Sequence, residues 1–282
     1  MEVQKTYKLY VNGAFPRTES GRYTEILDAE GRHFANICRS SRKDLREAVV
    51  AARGAFASWS GRTAYNRAQI LYRVAEILES RRESLEKDHH RMGITSEVAE
   101  RIVSEAISLW VHFAGFADKM GQLLSSVNPV QGPFFNFSTP EPIGVVGVVS
   151  GSEKGIAEMS KAILPVLVSG NTVVLIAEGP NRHLGIDMAE AFAVSDIPAG
   201  VINILTTEEN SLDEHLFTHM DINAVSLPKK SDERNADAQK KATSNLKRIC
   251  NPGDINIEDP ASGLRNIRMF TELKTTWHPN LA

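Results

Sequence analysis

Cys250 is one of only two cysteines in the chain, and a lone cysteine is the side chain whose type most directly suggests a nucleophile. A nucleophilic thiol needs a base within hydrogen-bond reach, yet no histidine stands near it in sequence. His219 or His278 would have to meet it in space. Without that meeting Cys250 is a small packing residue, with a reactive thiol as the alternative. His89 and His90 are adjacent at a polar helix end, where neighbours point about 100° apart, so they make poor joint metal ligands and are expected in solvent. Glu258 and Asp259 precede Pro260 in an expected loop and are read as solubilising. Lys229, Lys230, Lys240, Lys241, Lys247 and Arg248 are interleaved with Asp232, Glu233 and Asp237, the pattern of a solvated helical face.

The frame around these residues is a chain of 282 residues, 42% hydrophobic and 24% charged, with a formal net charge of -3. That is enough for one large or two ordinary domains that bury their own core. The mildly acidic balance gives no electrostatic reason to expect nucleic acid. No apolar run reaches the ~18 residues of a membrane span, and the opening MEVQKTYKLYVNG lacks the order of a signal peptide. With so few cysteines, a soluble, cytoplasmic protein is the expectation.

Tyr7 to Asn12 alternates apolar and polar residues before Gly13 and Pro16, predicting a short opening hairpin. Ser41 with Asp44 resembles a capping box, and Leu45, Val49, Ala52 and Phe56 then fall on one helical face that ends at Gly61. Ala68, Leu71, Val74, Ala75 and Leu78 repeat the pattern, as does Val98 to Phe116, so residues 41 to about 125 are mostly helical. Beyond Asn128, Phe134 to Ser138 and Ile143 to Val149 read as a strand pair joined by the stiff connection Thr139, Pro140, Glu141, Pro142. Strands at Thr172 to Ile176, Val201 to Leu205 and Ala224 to Leu227 then alternate with helices at Ile156 to Val168, His183 to Val194, Ser211 to His219 and Asp232 to Asn245. The predicted fold class is α/β: a Rossmann-like doubly wound parallel sheet with N-terminal helices and a small β element.

Four segments carry a resemblance. RAQILYRVAEIL (67–78), EPIGVVG (141–147), PVLVSGNTVVL (165–175) and IPAGVINIL (197–205), followed by SNLKR (244–248), resemble consecutive hallmarks of the aldehyde dehydrogenase superfamily, in family order and spacing. In that family the SNLKR-like segment leads through a glutamate-bearing turn into a catalytic domain with the nucleophilic cysteine. Here RICNPGD (248–254) passes almost directly to GLRNIRMFTELKTTW (263–277), which resembles the family's C-terminal oligomerisation strand. The resemblance therefore implies a chain lacking the catalytic domain between Arg248 and Gly263. It divides into residues 1–133 with the hairpin and helices, 134–149 with an oligomerisation-type strand pair, 150–262 with the Rossmann-like part, and 263–282 with an oligomerisation-type strand and tail.

The resemblance also assigns positions. Where the family uses a Trp-Asn pair to stabilise an oxyanion, this chain has Ser152 and Glu153, and an ionised carboxylate cannot donate that hydrogen bond. The family's general base falls at or near Pro252, which accepts no proton. The lysine and glutamate that meet the adenosine ribose correspond to Ile176 and Gly179, and each lost charge-assisted bond typically forfeits ~1.5 to 3 kcal/mol. The pyrophosphate turn corresponds to Lys229 and Lys230 after Pro228, while Thr206, Thr207, Glu208 and Glu209 replace a glycine-rich segment. Cys250 lies before the base position, not in the absent domain. No catalytic, cofactor-binding or metal-binding residue is therefore expected, and no cofactor, with NAD or NADP the alternative the family would imply.

Phe134, Phe135, Phe137, Ile267, Met269, Phe270 and Trp277 belong to segments that resemble the family's interchain sheet, and exposed strand edges are liabilities unless paired. The expected role is a catalytically silent structural or regulatory subunit, forming a homo-oligomer or docking on a complete aldehyde dehydrogenase, without nucleic acid or membrane. The alternatives are an NAD(P)-binding component of a composite aldehyde-oxidising enzyme, a sensor of an anionic small molecule, or aromatics that merely close the chain's own fold.

Overall fold

A computed structural model describes residues 5–151, 153–228 and 232–279. The expected opening hairpin is a tight turn: Val11 and Ala14 exchange both backbone hydrogen bonds around Asn12 and Gly13, which both adopt positive φ. Tyr10 meanwhile bridges antiparallel to Ile204, stitching the N-terminus to the edge of the main sheet. Three strands follow the order β1-β3-β2, with β1 (Lys5–Tyr7) parallel and β2 (Tyr23–Leu27) antiparallel to β3 (His33–Cys38). The β2–β3 hairpin has no counterpart among the sequence expectations.

The helical region agrees with its apolar periodicity. It comprises α1 (Arg42–Ser60), α2 (Ala64–Ser80), α3 (Arg82–Arg91), α4 (Ser96–Ala117) and the short α5 (Met120–Leu124). Ser41 accepts from the Asp44 N–H while the Asp44 carboxylate accepts from the Ser41 N–H, so both partners of the box satisfy an otherwise orphaned donor. Two buried tryptophans lock this layer to the next: the Trp59 indole donates to the Leu167 carbonyl at 3.2 Å and that of Trp110 to the Ser160 hydroxyl at 3.1 Å.

Thereafter the chain contributes β4 (Ser126–Asn128), β5 (Phe134–Pro142), β6 (Val145–Ser150), α6 (Gly155–Val168), β7 (Thr172–Ala177), α7 (Leu184–Ala193), β8 (Ile202–Thr206), α8 (Asp213–Thr218), β9 (Ala224–Ser226), α9 (Asp232–Ala242) and β10 (Arg248–Cys250). The five-stranded sheet runs β10-β9-β6-β7-β8, all parallel. Alternation along each strand divides two apolar layers. Val146, Val148, Val173 and Leu175 pack toward α2, α4 and α6, whereas Val145, Val149, Val174 and Ile176 join Leu45, Val49, Leu216 and Phe217 of α1 and α8. This is the doubly wound arrangement that the strand-helix alternation predicts. Among the described residues no helix is long and apolar enough to cross a membrane.

Two local expectations are corrected. The segments expected as a strand pair, within residues 134–149, lie in different sheets: β5 belongs to a three-stranded sheet of order β11-β5-β4, and β6 to the parallel sheet. Strand β5 also continues through Pro140 and Pro142, because β4 pairs only with Asn136 to Ser138 and no ladder bond on that side is lost at the prolines. Gly144, at φ 131°, turns the chain from one sheet into the other where any Cβ would collide with Asn223. Second, the first residues of 263–282 are helical. Asp259 caps α10 (Pro260–Arg268) by accepting from the Ala261 N–H at 3.1 Å, so this carboxylate is structural, and the strand β11 begins only at Thr271 (Thr271–Pro279).

Candidate functional site

Chain direction reverses at β6: β7 and β8 are added on one side, and the chain then returns to lay β9 on the other. Ligand crevices of doubly wound sheets open beyond the strand carboxyl ends at such a switch point. A cavity of about 560 Å³ lies there, lined by Val149 and Ser150 at the end of β6, Ser226 at the end of β9 and Pro228 beyond it, the first turns of α6, and Pro252 to Ile255.

The side chains of this cavity are acidic and basic in close alternation. Lys161 reaches Glu105 at 2.7 Å and Asp254 at 3.4 Å, tying one wall to the other. Glu158 accepts from the Lys154 N–H at 3.1 Å, placing a carboxylate on the N-terminus of α6, where a bound anion would otherwise find donors. Glu153 and Pro252, which occupy the expected oxyanion and base positions, both line the cavity, so the topology does bring these two positions together. Ser152, Lys229 and Lys230 lie outside the described residues.

Cys250 is buried at the end of β10, where its thiol donates to the Met269 carbonyl at 3.8 Å. Burial pushes the thiol up to about 11, with Arg248 acting weakly against, which keeps it protonated near neutrality. The bonded partner is a backbone carbonyl; this is the packing role expected.

Beyond β7, the positions matched to the ribose contacts are an apolar residue, Ile176, wholly buried, and Gly179 in a turn. Between them Glu178 is buried and bidentate to Arg234 of α9, at 3.0 Å for both bonds. Arg234 is bidentate to Asp213 of α8 as well, at 2.7 and 2.6 Å. Burial raises the Glu178 carboxyl while Arg234 opposes the rise; for Arg234, burial works to lower the guanidinium but the two carboxylates more than offset it. This triad ties α8 and α9 across the end of β7. Its members are far apart in sequence, and only the paired charges at the ends of predicted elements could have hinted at it. Thr206 and Thr207 are buried, the former donating to the Cys38 carbonyl, while Glu208 pairs with Arg39 at 3.2 Å on the surface.

Two surface expectations do not hold. Lys247 is buried and its ammonium donates to the His219 carbonyl at 2.7 Å at the end of α8; burial lowers it to about 8. His89 is fully buried, with Nδ1 against the Leu85 carbonyl at 2.7 Å and Nε2 against Gly155, whereas His90 is exposed as expected. His89 lies near a second polar group within the core that the sequence did not disclose. His183 is fully buried between the rings of Tyr7 and Phe34, at 5.2 and 6.0 Å, and Asp187 one turn further along α7 receives Lys5 at 3.0 Å.

The small sheet carries the residues expected at an interface, and they separate into two groups. Phe134, Phe135 and Trp277 are 43, 45 and 59% exposed, Trp277 standing edge-on to Phe134 at 5.8 Å, and Phe137 is half-buried against Phe135 at 5.5 Å. Ile267 of α10 and Phe270, in the turn that follows it, instead close the chain's own core, and Met269 packs beside them. The two buried residues present no surface to a partner.

Comparison with known proteins agrees with this geometry. The model of the aldehyde dehydrogenase family matches residues 15–251. The alpha-ketoglutaric semialdehyde dehydrogenase of Bacillus subtilis (strain 168) is 30% identical over 228 residues, covering 79% of this chain and 46% of that protein. An aldehyde dehydrogenase of Enchytraeus buchholzi is 27% identical over 251 residues, covering 86% and 49%. Among solved structures, PnpE from Pseudomonas sp. WBC-3 aligns with a TM-score of 0.81 at 26% identity, over 88% of this chain and 50% of that one. The chain spans about half the length of these relatives, and with its family match and doubly wound sheet it belongs to the aldehyde dehydrogenase family.

Proposed function

We propose that the chain is a non-catalytic assembly module of aldehyde dehydrogenase type, which associates with itself or docks on a complete aldehyde dehydrogenase through the β4–β5–β11 sheet. The observation that carries this reading is the contrast between two regions. The switch-point cavity has Glu153 and Pro252 where the resemblance expects an amide donor and a carboxylate base, whereas the small sheet holds Phe134, Phe135 and Trp277 in solvent. Pro252 has no side-chain proton acceptor at the base position, and the carboxylate of Glu153 is not the amide donor that an oxyanion needs.

A nicotinamide dinucleotide does not fit the residues present. Ile176 offers the ribose no charge, and the Glu178–Arg234–Asp213 triad closes the end of β7 with carboxylates already paired.

Light scattering of the purified protein, alone and mixed with a complete aldehyde dehydrogenase, tests the reading. A mass above that of one chain, or co-elution with the complete enzyme, is expected. A strict monomer at high concentration that ignores the complete enzyme would rule it out.

A further inference from the structure

A second cavity, of about 670 Å³, opens at the amino ends of β6 and β7, across the sheet from the switch point. Pro142 leads into β6 and Ser169 into β7, and both line it together with Arg62, just before α2, and Arg67, on the first turn of that helix. Each guanidinium is held in place by one nitrogen. Arg67 Nη1 donates to the carbonyls of Ser60 at 3.3 Å and Arg62 at 2.6 Å, and Arg62 Nη1 donates to the Asn66 side-chain carbonyl at 2.7 Å. Neither arginine forms an ion pair among the described residues, and the Nε of each is buried without a partner. The carboxylates at the rim are paired elsewhere, Asp118 with Lys119 at 3.3 Å and Glu141 with Lys274 at 3.0 Å. Burial lowers the Arg67 guanidinium, and no carboxylate opposes it.

We propose that this cavity binds a small organic phosphate, with the phosphate group on Arg62 and Arg67 and the organic part against Phe56, Met120 and Pro140. The site is independent of the assembly reading and lies at the opposite end of the strands from the crevice where doubly wound sheets ordinarily take their ligands. Two positive charges without a carboxylate partner match the charge of a phosphate monoester near neutrality, about -1.5 to -2. A guanidinium grips an oxyanion with two parallel bonds along one edge. The edge formed by Nε and Nη2 is unengaged in both residues.

Helix ends around the cavity act in both directions. The N-terminus of α2 favours an anion: Ala64 stands on the cavity wall, and the first turn holds no acidic residue. The C-termini of α1, α4 and α6 disfavour one, but carbonyls at each are taken up within the chain. Arg67 takes that of Ser60, the Lys119 ammonium that of Gly115, and the Ser169 hydroxyl those of Pro165 and Val166. The guanidinium charges therefore decide the sign. The volume falls within the ~300 to 1,000 Å³ of small-molecule sites, more room than a bare phosphate fills, and the apolar wall has no use for one.

Calorimetric titration with phenyl phosphate and with inorganic phosphate, in a buffer free of other phosphate, tests the site. Phenyl phosphate is expected to bind one to one with a Kd below about 1 mM, and inorganic phosphate to compete with it more weakly. Arg62→Gln is expected to weaken phenyl phosphate about tenfold or more, and Arg62→Lys, which keeps the charge and loses the fork, to fall between. Arg62 bonds only the Asn66 side chain, so both variants are expected to melt as the wild type does. No saturable binding of either phosphate, or an affinity unchanged in Arg62→Gln, overturns the site. Inorganic phosphate binding as tightly as phenyl phosphate overturns the organic part and leaves a site for free phosphate.

Discussion

Replacing Arg234 by methionine is expected to destabilise the fold by roughly 3 to 5 kcal/mol at pH 7, the range for breaking a buried ion pair by removing one partner. The guanidinium supplies both bonds to Glu178 and both to Asp213, with all three side chains largely shielded from water. Its loss leaves two carboxylates facing one another at the end of β7. The cost lies in that uncompensated charge, since the pair itself offsets its own desolvation only partly. Replacing Glu178 and Asp213 by apolar residues together with Arg234→Met is therefore expected to recover much of the loss. Urea unfolding of the single and triple variants checks this, and a single-variant cost below ~1 kcal/mol would show that the triad is not under the electrostatic load described.

The second large effect is on pH dependence. Burial lowers His183 to about 3, with His89, Lys5 and Arg182 adding to the shift. The unfolded chain takes up this proton below ~6.5 while the folded chain does not, so stability is present above that pH and is lost as pH falls. Asp187 behaves oppositely. Burial raises it to about 7, with Lys5 working against, so its contribution is present below the ordinary carboxylate range and is lost as pH rises through 7. Between about pH 4 and 6.5 the two slopes oppose one another. Removing one exposes the other: His183→Phe is expected to gain stability as pH falls through this window, and Asp187→Asn to lose it, each by about 1 kcal/mol per pH unit relative to the wild type. Parallel unfolding profiles for the two variants would contradict the burial account of this cluster.

How much of this was legible in the sequence follows from the range of the interactions. The parallel sheet declared itself through continuous apolar runs such as Thr172 to Ile176, and α1 through its capping box and periodicity, because these signals are local. Pro140 and Pro142 misled because a proline's cost in a strand depends on whether a neighbour needs its N–H, which only the pairing of β4 decides. The Asp259-Pro260 start of α10 carried a readable cap-and-N1 signal that the resemblance to a strand outweighed. His89 and Lys247 looked solvated beside their charged neighbours, yet each bonds a carbonyl in the interior, His89 that of Leu85 and Lys247 that of His219. Within the candidate site, Glu153 and Pro252 could be placed by the spacing of the family-like segments. Arg234 could not, because its partners Glu178 and Asp213 reach it only through tertiary packing of β7, α8 and α9. Ile267 and Phe270 lie in a segment expected at an interface yet face the core, because the helix α10 and the turn after it, not a strand, set their side chains.

The measurement that bears most directly on the central claim, an aldehyde dehydrogenase fold retained without its chemistry, is calorimetric titration of the purified protein with NAD and NADP. No saturable heat is expected with either dinucleotide in the micromolar range. Saturable one-to-one binding at micromolar concentration would contradict it, because a dinucleotide would then have to be held beside the uncharged Ile176 and the already paired triad at the end of β7.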